Sequence, residues 1–204
     1  MTPTTTPIDD LLAGIPAPDP ATTARLRARL AERADDDGLL DVSYRTLDSP
    51  VGELLLAATS GGVVRIAFAR EGHEAVLESL AEHISPRILR SPRRLDAPAR
   101  QLEEYFARHR RTFDLPLDFR LAHGFRAEVL AHLREIPYGA TETYAGVAAA
   151  IGKPAAVRAA GTACARNPLP LVVPCHRVVR SDGTIGQYGG GAEAKRLLLE
   201  LEAA

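Results

Sequence analysis

From Val42 to Arg70 the chain reads VSYRTLDSPVGELLLAATSGGVVRIAFAR, three apolar runs cut by Ser49-Pro50-Val51-Gly52 and Ser60-Gly61-Gly62. Short β-type runs separated by turn residues fold as neighbouring strands, so an antiparallel meander is expected here. The texture then changes. His73–Ile84 carries Val76, Leu77, Leu80 and Ile84 at helical spacing, and Ala97–His109 reads as a second helix. Thr112–Phe119 alternates like a strand, with Phe113, Leu115, Leu117 and Phe119 apolar. After Ala122-His123-Gly124 the chain reads as helical, beginning with Phe125–Ile136.

Three expected regions follow: an extension over 1–40, an α/β domain with an antiparallel sheet over 41–119, and a mainly α domain over 120–204. The extension begins with the disordered-looking MTPTTTP. Short helices are expected at Ile8–Ile15 and Thr22–Ala34, the latter with Leu26 and Leu30 one turn apart. In the last region Thr143–Ile151 and Ala155–Arg166 are short helices joined by the Gly152-Lys153-Pro154 turn, a helix-turn-helix pattern. Asn167-Pro168-Leu169-Pro170 must be extended, and Leu171-Val172-Val173 reads as a buried strand-like run. Ser181-Asp182-Gly183 is a hairpin-like turn, and Ala192–Glu202 a closing helix.

Charge is close to balanced at −1 over 204 residues, which does not by itself suggest a nucleic-acid binder. Its distribution is uneven: from Arg120 onward 10 Lys/Arg face 7 Asp/Glu. That modest basic bias permits a small DNA contact. Two cysteines make no disulfide framework, and no Cys/His spacing suits zinc, so neither a metal nor a cofactor is expected. There is no signal-peptide pattern and no apolar run near ~20 residues. A cytoplasmic monomer without membrane association is the expectation.

Cys175 ends the apolar run, between Pro174 and His176. A cysteine in such a place is most often a small buried hydrophobe. Three features favour chemistry instead. An imidazole and a guanidinium follow directly, and positive neighbours stabilise a thiolate. A Gly-rich loop, Gly186–Gly191, lies close in sequence. The closing helix offers Glu200 and Glu202, either of which could orient a histidine. Cys164, in an Ala-rich helix, has no such company and reads as structural. A thiol hydrolase usually draws its Cys and His from distant segments. A transferase that keeps the acquired group needs only a thiolate, a base and a pocket.

Asn167-Pro168 followed by LPLVVPCHRVVRSDG, with IPYGATETYAGVAAAIGKPAAVRAAGTA upstream and GQYGGGAEAKRLLLELE downstream, resembles the O6-alkylguanine-DNA alkyltransferases, also called methylated-DNA–protein-cysteine methyltransferases. The likeness covers roughly the last 80 residues closely, and Asp41–Phe119 loosely through SPVGELLLA. It implies a ribonuclease-H-like N-terminal fold and a winged-helix-like helix-turn-helix in the C-terminal one. It also implies a partner, double-stranded DNA carrying O6-alkylguanine and also O4-alkylthymine, and a transfer that occurs once per molecule without a cofactor.

The resemblance implies roles residue by residue. Cys175 would accept the alkyl group, His176 would deprotonate it through a water, and Glu202 would hold that histidine. Asn167 would tie the Cys segment to the helix-turn-helix, and Tyr144 would protonate the leaving guanine. Arg158 would enter the base stack as the target nucleotide flips out, with the small Ala159, Ala160 and Gly161, and Thr162, letting the helix approach the minor groove. Tyr188, Gly189, Pro170, Val178 and Lys195 would line the base pocket. Gly189 stands where relatives often carry a small side chain, and Leu201 where they often carry His. A non-enzymatic lesion sensor of the same fold would lack the acceptor cysteine. A Cys-His hydrolase would turn over repeatedly, and a transcription factor would show a further regulatory domain.

Overall fold

The computed structural model describes residues 19–203; the expected Ile8–Ile15 helix and the Thr/Pro-rich start lie outside them. Helix α1 (Pro20–Asp36) starts where Asp19 accepts from the Thr22 N–H at 3.0 Å, with Pro20 in the first turn. It is moored to the sheet domain by ion pairs, Asp36 with Arg93 and Asp35 with Arg94. The Leu26/Leu30 pair does not face a core; the two are 56% and 61% exposed.

Strands β1 (Val42–Leu47), β2 (Leu54–Thr59) and β3 (Gly62–Phe68) form the expected antiparallel meander. A fourth strand, β4 (Ile88–Arg90), pairs parallel with β1 and was not anticipated. At three residues it is too short to show an alternation. The sheet order is β3-β2-β1-β4. The period of two along β2 divides its side chains cleanly. Leu54, Leu56 and Ala58 enter one core, while Leu55 and Ala57 enter a second with Val76 and Leu80 of α2 (His73–His83). Helix α3 (Asp96–Phe106) covers the first face with Leu102 and Tyr105.

Residues 112–119 are not a strand. They touch β3 at a single parallel bridge, Val63 with Leu117, through Val63 N–H to Pro116 O and Asp118 N–H to Val63 O. Pro116 has no N–H to extend the ladder. Asp114 is instead held by the Gln101 side chain, which both donates to its carbonyl and accepts from its N–H. Gly62, at φ +123°, lets this segment come close: a Cβ there would lie 2.1 Å from Pro116 O.

Beyond Gly124 lie α4 (Phe125–Leu133), β5 (Glu142–Thr143), α5 (Tyr144–Ala150), α6 (Val157–Ala165), β6 (Val178–Val179) and α7 (Gly191–Glu202). Thr143 caps α5 by accepting from the Gly146 N–H. Helices α5 and α6, with α4 behind them, form the helix-turn-helix. Leu171–Val173 is buried at Leu171 and Val173, as expected of an apolar run, but is not a strand. The backbone turns there, with Leu171 at φ +74° and Val173 N–H bonded to Leu169 O. This folds the Cys segment back under α6. One apolar core runs from β2 and β3 through α3 into α4, α6 and α7, so the two domains share their interior. No described helix is long and apolar enough to cross a membrane.

Candidate active site

Cys175 opens a one-turn 3-10 segment, Cys175–Arg177, that leads into β6. It is buried, and its Sγ accepts from Asn167 Nδ2 at 3.1 Å. The same amide donates to Val173 O at 2.8 Å, while Asn167 Oδ1 accepts from the Leu169 N–H at 2.9 Å. Asn167 thus uses both ends of its side chain to hold the turn that presents the thiol, directly after the last residues of α6.

His176 is fully buried. Its Nε2 lies 2.9 Å from Glu202 Oε1, and its Nδ1 is buried without a partner among the described residues. Bonding to a carboxylate puts the proton on Nε2 and leaves Nδ1 with a free lone pair. Glu200 is exposed and takes no part, so the orienting carboxylate is Glu202.

Glu202 is the hub of the site. Arg177 donates to it from Nε at 2.8 Å and from Nη2 at 2.9 Å, Tyr105 from its hydroxyl at 2.7 Å, and the Gly139 N–H at 3.2 Å. Burial alone would raise its pKa, but the bonds from His176, Arg177 and Tyr105 outweigh that and hold it well below the usual carboxylate range. Arg177 therefore does not stabilise a thiolate, contrary to the expectation from its position in the sequence. It faces the carboxylate, and its remaining Nη1 donates to Ile136 O at 2.6 Å. Tyr105 is a member of the site that sequence reasoning missed, and Arg177 one to which it gave a different role. Arg177 was signalled by its place next to His176; Tyr105 sits 97 residues away from Glu202, with no local signal.

Burial pushes the Cys175 thiol up to about 11, only partly offset by the Asn167 bond and the Lys195 charge. Burial also lowers His176 below the ordinary 6.5. At neutral pH the resting pair is therefore a thiol beside a neutral imidazole. Lys195 is wholly buried, donating to Val178 O, with its ammonium 5.8 Å from the Tyr144 ring centre. Burial lowers its pKa. Tyr188 is buried edge-on between Phe68 at 5.3 Å and His176 at 6.3 Å, with its hydroxyl unpartnered among the described residues. Pro170 and Val178 are buried as well, and Gly189 is half-buried beside Phe68.

Tyr144 opens α5 below α6. Its ring lies 3.9 Å from where a Gly161 Cβ would stand, and burial, with the thiols of Cys164 and Cys175 nearby, pushes its pKa up to about 12. A Cβ on Gly186 would meet the Tyr144 hydroxyl at 2.2 Å, so only glycine lets the 186 loop close over it. Gly186→Ala is expected to displace the phenol while leaving the thiol and its histidine in place. If Tyr144 is a general acid, transfer should slow on the order of 10²-fold. Single-turnover rates and a melting curve check this: a large loss of stability with no specific loss of rate would contradict it.

The outer face of α6 exposes Arg158, Ala159 and Thr162, whereas Ala160 points into the core and cannot meet a ligand. Beside that face a cleft of about 500 Å³ is lined by Tyr144, Arg158, Gly161, Thr162, Arg180 and Gly186. From Thr143 to Ser181 the chain has no Asp or Glu, so the cleft side carries only cations. The arrangement holds a buried thiol, a buried histidine fixed on a carboxylate, a phenol under α6, and a positively charged cleft mouth.

Two family profiles match the chain. One, described as the 6-O-methylguanine DNA methyltransferase DNA binding domain, spans residues 124–204, and the other, the ribonuclease-like domain of the same protein, spans 42–119. A methylated-DNA–protein-cysteine methyltransferase of Mycobacterium tuberculosis is 39% identical over 161 residues, 79% of this chain and 92% of the relative. The constitutive one of Bacillus subtilis is 38% identical over 162 residues, 78% and 94% of the two chains. Among solved structures, a Mycobacterium tuberculosis O6-methylguanine methyltransferase superposes with a TM-score of 0.68 at 37% identity, covering 79% of this chain and 93% of that one. A structure from the same organism in complex with DNA gives 0.67 at 37% identity, covering 79% and 92%.

Proposed function

This chain belongs to the 6-O-methylguanine DNA methyltransferase family, and from that premise we propose that it repairs DNA directly, moving the alkyl group of O6-alkylguanine in duplex DNA irreversibly onto Cys175. The observation that carries this reading is the buried histidine next in the chain to the buried thiol: Nε2 is fixed on Glu202, and Nδ1 has no partner among the described residues. O4-alkylthymine presents the same alkyl–oxygen bond to the pocket and is proposed as a second substrate.

The transfer would run in three steps. The Cys175 Sγ–H gives its proton, through a water, to His176 Nδ1, and Glu202 stabilises the imidazolium that results. The thiolate attacks the alkyl carbon; the carbon–O6 bond breaks and its electron pair stays on guanine. Tyr144 donates a proton to the departing base, which therefore leaves neutral. The thioether formed has no low-barrier return, so each chain reacts once. Asn167 keeps Sγ aimed, and Lys195 adds a positive charge near the forming thiolate. Tyr188, Gly189, Pro170 and Val178 bound the space for the flipped base.

O6 is inside the duplex, so the nucleotide must leave the stack at a cost of a few kcal/mol. Arg158, exposed on α6 with Ala159 and Thr162 and next to the half-buried Gly161, would fill the gap and offset part of that cost. Arg158→Ala is expected to slow repair of a duplex roughly tenfold while transfer from free O6-benzylguanine changes little. Equal losses in both assays would point to a folding defect and sink the role.

The pKa shifts give a second test. With His176 lowered below 6.5 and Cys175 raised to about 11, transfer from the free base should be flat from about pH 7 to 9 in the parent protein. In His176→Gln the thiolate can form only by direct ionisation. Its much lower rate should climb about tenfold per pH unit toward 11. A flat profile in that variant would show that His176 is not the base.

A further inference from the structure

Three adjoining depressions make one groove across α6. The cleft beside Tyr144 reaches Thr162 and Arg166 at its far end. Those two residues also line a second hollow of about 350 Å³, with His123, Phe125 and Arg126. Arg126 and Arg166 then border a third, of about 410 Å³, which runs between α6 and the sheet domain past His83 and Arg65 to Asn167. The groove therefore leaves the helix-turn-helix and continues onto the N-terminal domain.

Its charge is one-signed. Some arginines elsewhere find carboxylates, Arg45 with Asp96, Arg87 with Asp41 and Arg120 with Asp118. Arg126 and Arg166 have no ion-pair partner among the described residues. The one acid lining the groove, Glu71, is already taken by Arg65 and by the Phe68 N–H. Helix α6 has no acidic residue. Uncompensated guanidinium groups along an open groove suit a polyanion that passes through rather than a small ligand that is enclosed.

We propose that the sugar-phosphate backbone of the bound duplex continues past α6 into this interdomain groove, where Arg126 and Arg166 each neutralise a phosphate. The proposal rests on the DNA-repair reading and extends its footprint. Arg158 and Arg166 stand near opposite ends of a helix about 13 Å long. One strand of a duplex passes roughly four phosphates in that length. A single bound duplex can thus reach both residues, with Arg158 at the lesion and Arg166 several nucleotides away. These are contacts of position, without sequence or lesion preference.

The test is the salt dependence of binding of the full chain to an undamaged duplex and to the same duplex with one O6-methylguanine. Arg126→Ala and Arg166→Ala should each lower the slope of log affinity against log salt by about one, equally on both duplexes. The double variant should lower it by about two. Arg134→Ala, an exposed arginine on a different cleft, should leave the slope unchanged. Melting curves for each variant exclude misfolding, Arg166 being exposed and Arg126 half-buried at the start of α4. Slopes unchanged in both variants while the parent binds DNA would overturn the groove and leave the repair reading standing. A parent that binds neither duplex would overturn the repair reading itself.

Discussion

Glu202→Ala is expected to cost about 3–5 kcal/mol of stability, the range for breaking a buried ion pair from one side. The loss is large because the remaining groups have nowhere to go. Arg177 is buried with two of its donors on that carboxylate, and Tyr105, His176 and the Gly139 N–H each lose their partner with it. Against a total of ~5–15 kcal/mol this removes much of the margin. The melting temperature should fall by roughly 6–20 °C for a chain of this length. A fall under about 2 °C would mean that the hub carries little energy. Glu202→Gln keeps the shape and removes the charge, which isolates the pH effect. The folded-state pKa of Glu202 is held below its ordinary 4.5, so its contribution is complete above that value and fades as pH falls through the folded one. The parent should therefore lose melting temperature on acidification from about pH 5, and Glu202→Gln should lose less over the same window. Parallel acid limbs would contradict the assignment.

The parts of the fold that were legible in the sequence are those with a local period. The β1–β3 meander shows alternation and turn residues together, and α2, α4 and α7 show apolar spacing. What escaped depends on groups distant in sequence. Residues 112–119 alternate like a strand, but Pro116 and the Gln101 clamp on Asp114 leave only one bridge. Leu171–Val173 has the burial of a strand and the backbone of a turn, set by Asn167 from outside the run. The site divides the same way. Cys175, His176 and Asn167 share one segment whose motif announces them. Tyr105 arrives from the other domain, and Arg177 turns away from the thiol because a buried carboxylate attracts it more strongly. Gly186 is recognisable as one of several glycines, yet only the closed loop shows that its missing Cβ is what makes room for the Tyr144 hydroxyl.

Cys175→Ser is expected to abolish alkyl transfer while leaving DNA binding nearly intact. Serine has almost the same shape, and its oxygen can still accept from Asn167 Nδ2 where Sγ does now. Its hydroxyl, however, is far less acidic than a thiol and a much poorer nucleophile toward carbon. Arg158, Ala159 and Thr162 of α6 are exposed while Cys175 is buried, so the substitution leaves that face as it is. A serine variant that fails to bind DNA would place Cys175 in the architecture of the interface instead. A serine variant that still demethylates would remove it as the acceptor.

The proposed repair reaction goes to one named sulfur, once. The direct measurement incubates the full chain with excess O6-methylguanine duplex, then combines intact mass, peptide mapping and the yield of restored guanine. The expected result is a gain of one methyl group, located on Cys175, and a yield that stops at one equivalent per chain whatever the excess of substrate. A methyl group on Cys164, an unmodified protein, or a yield that keeps rising past one equivalent would contradict it.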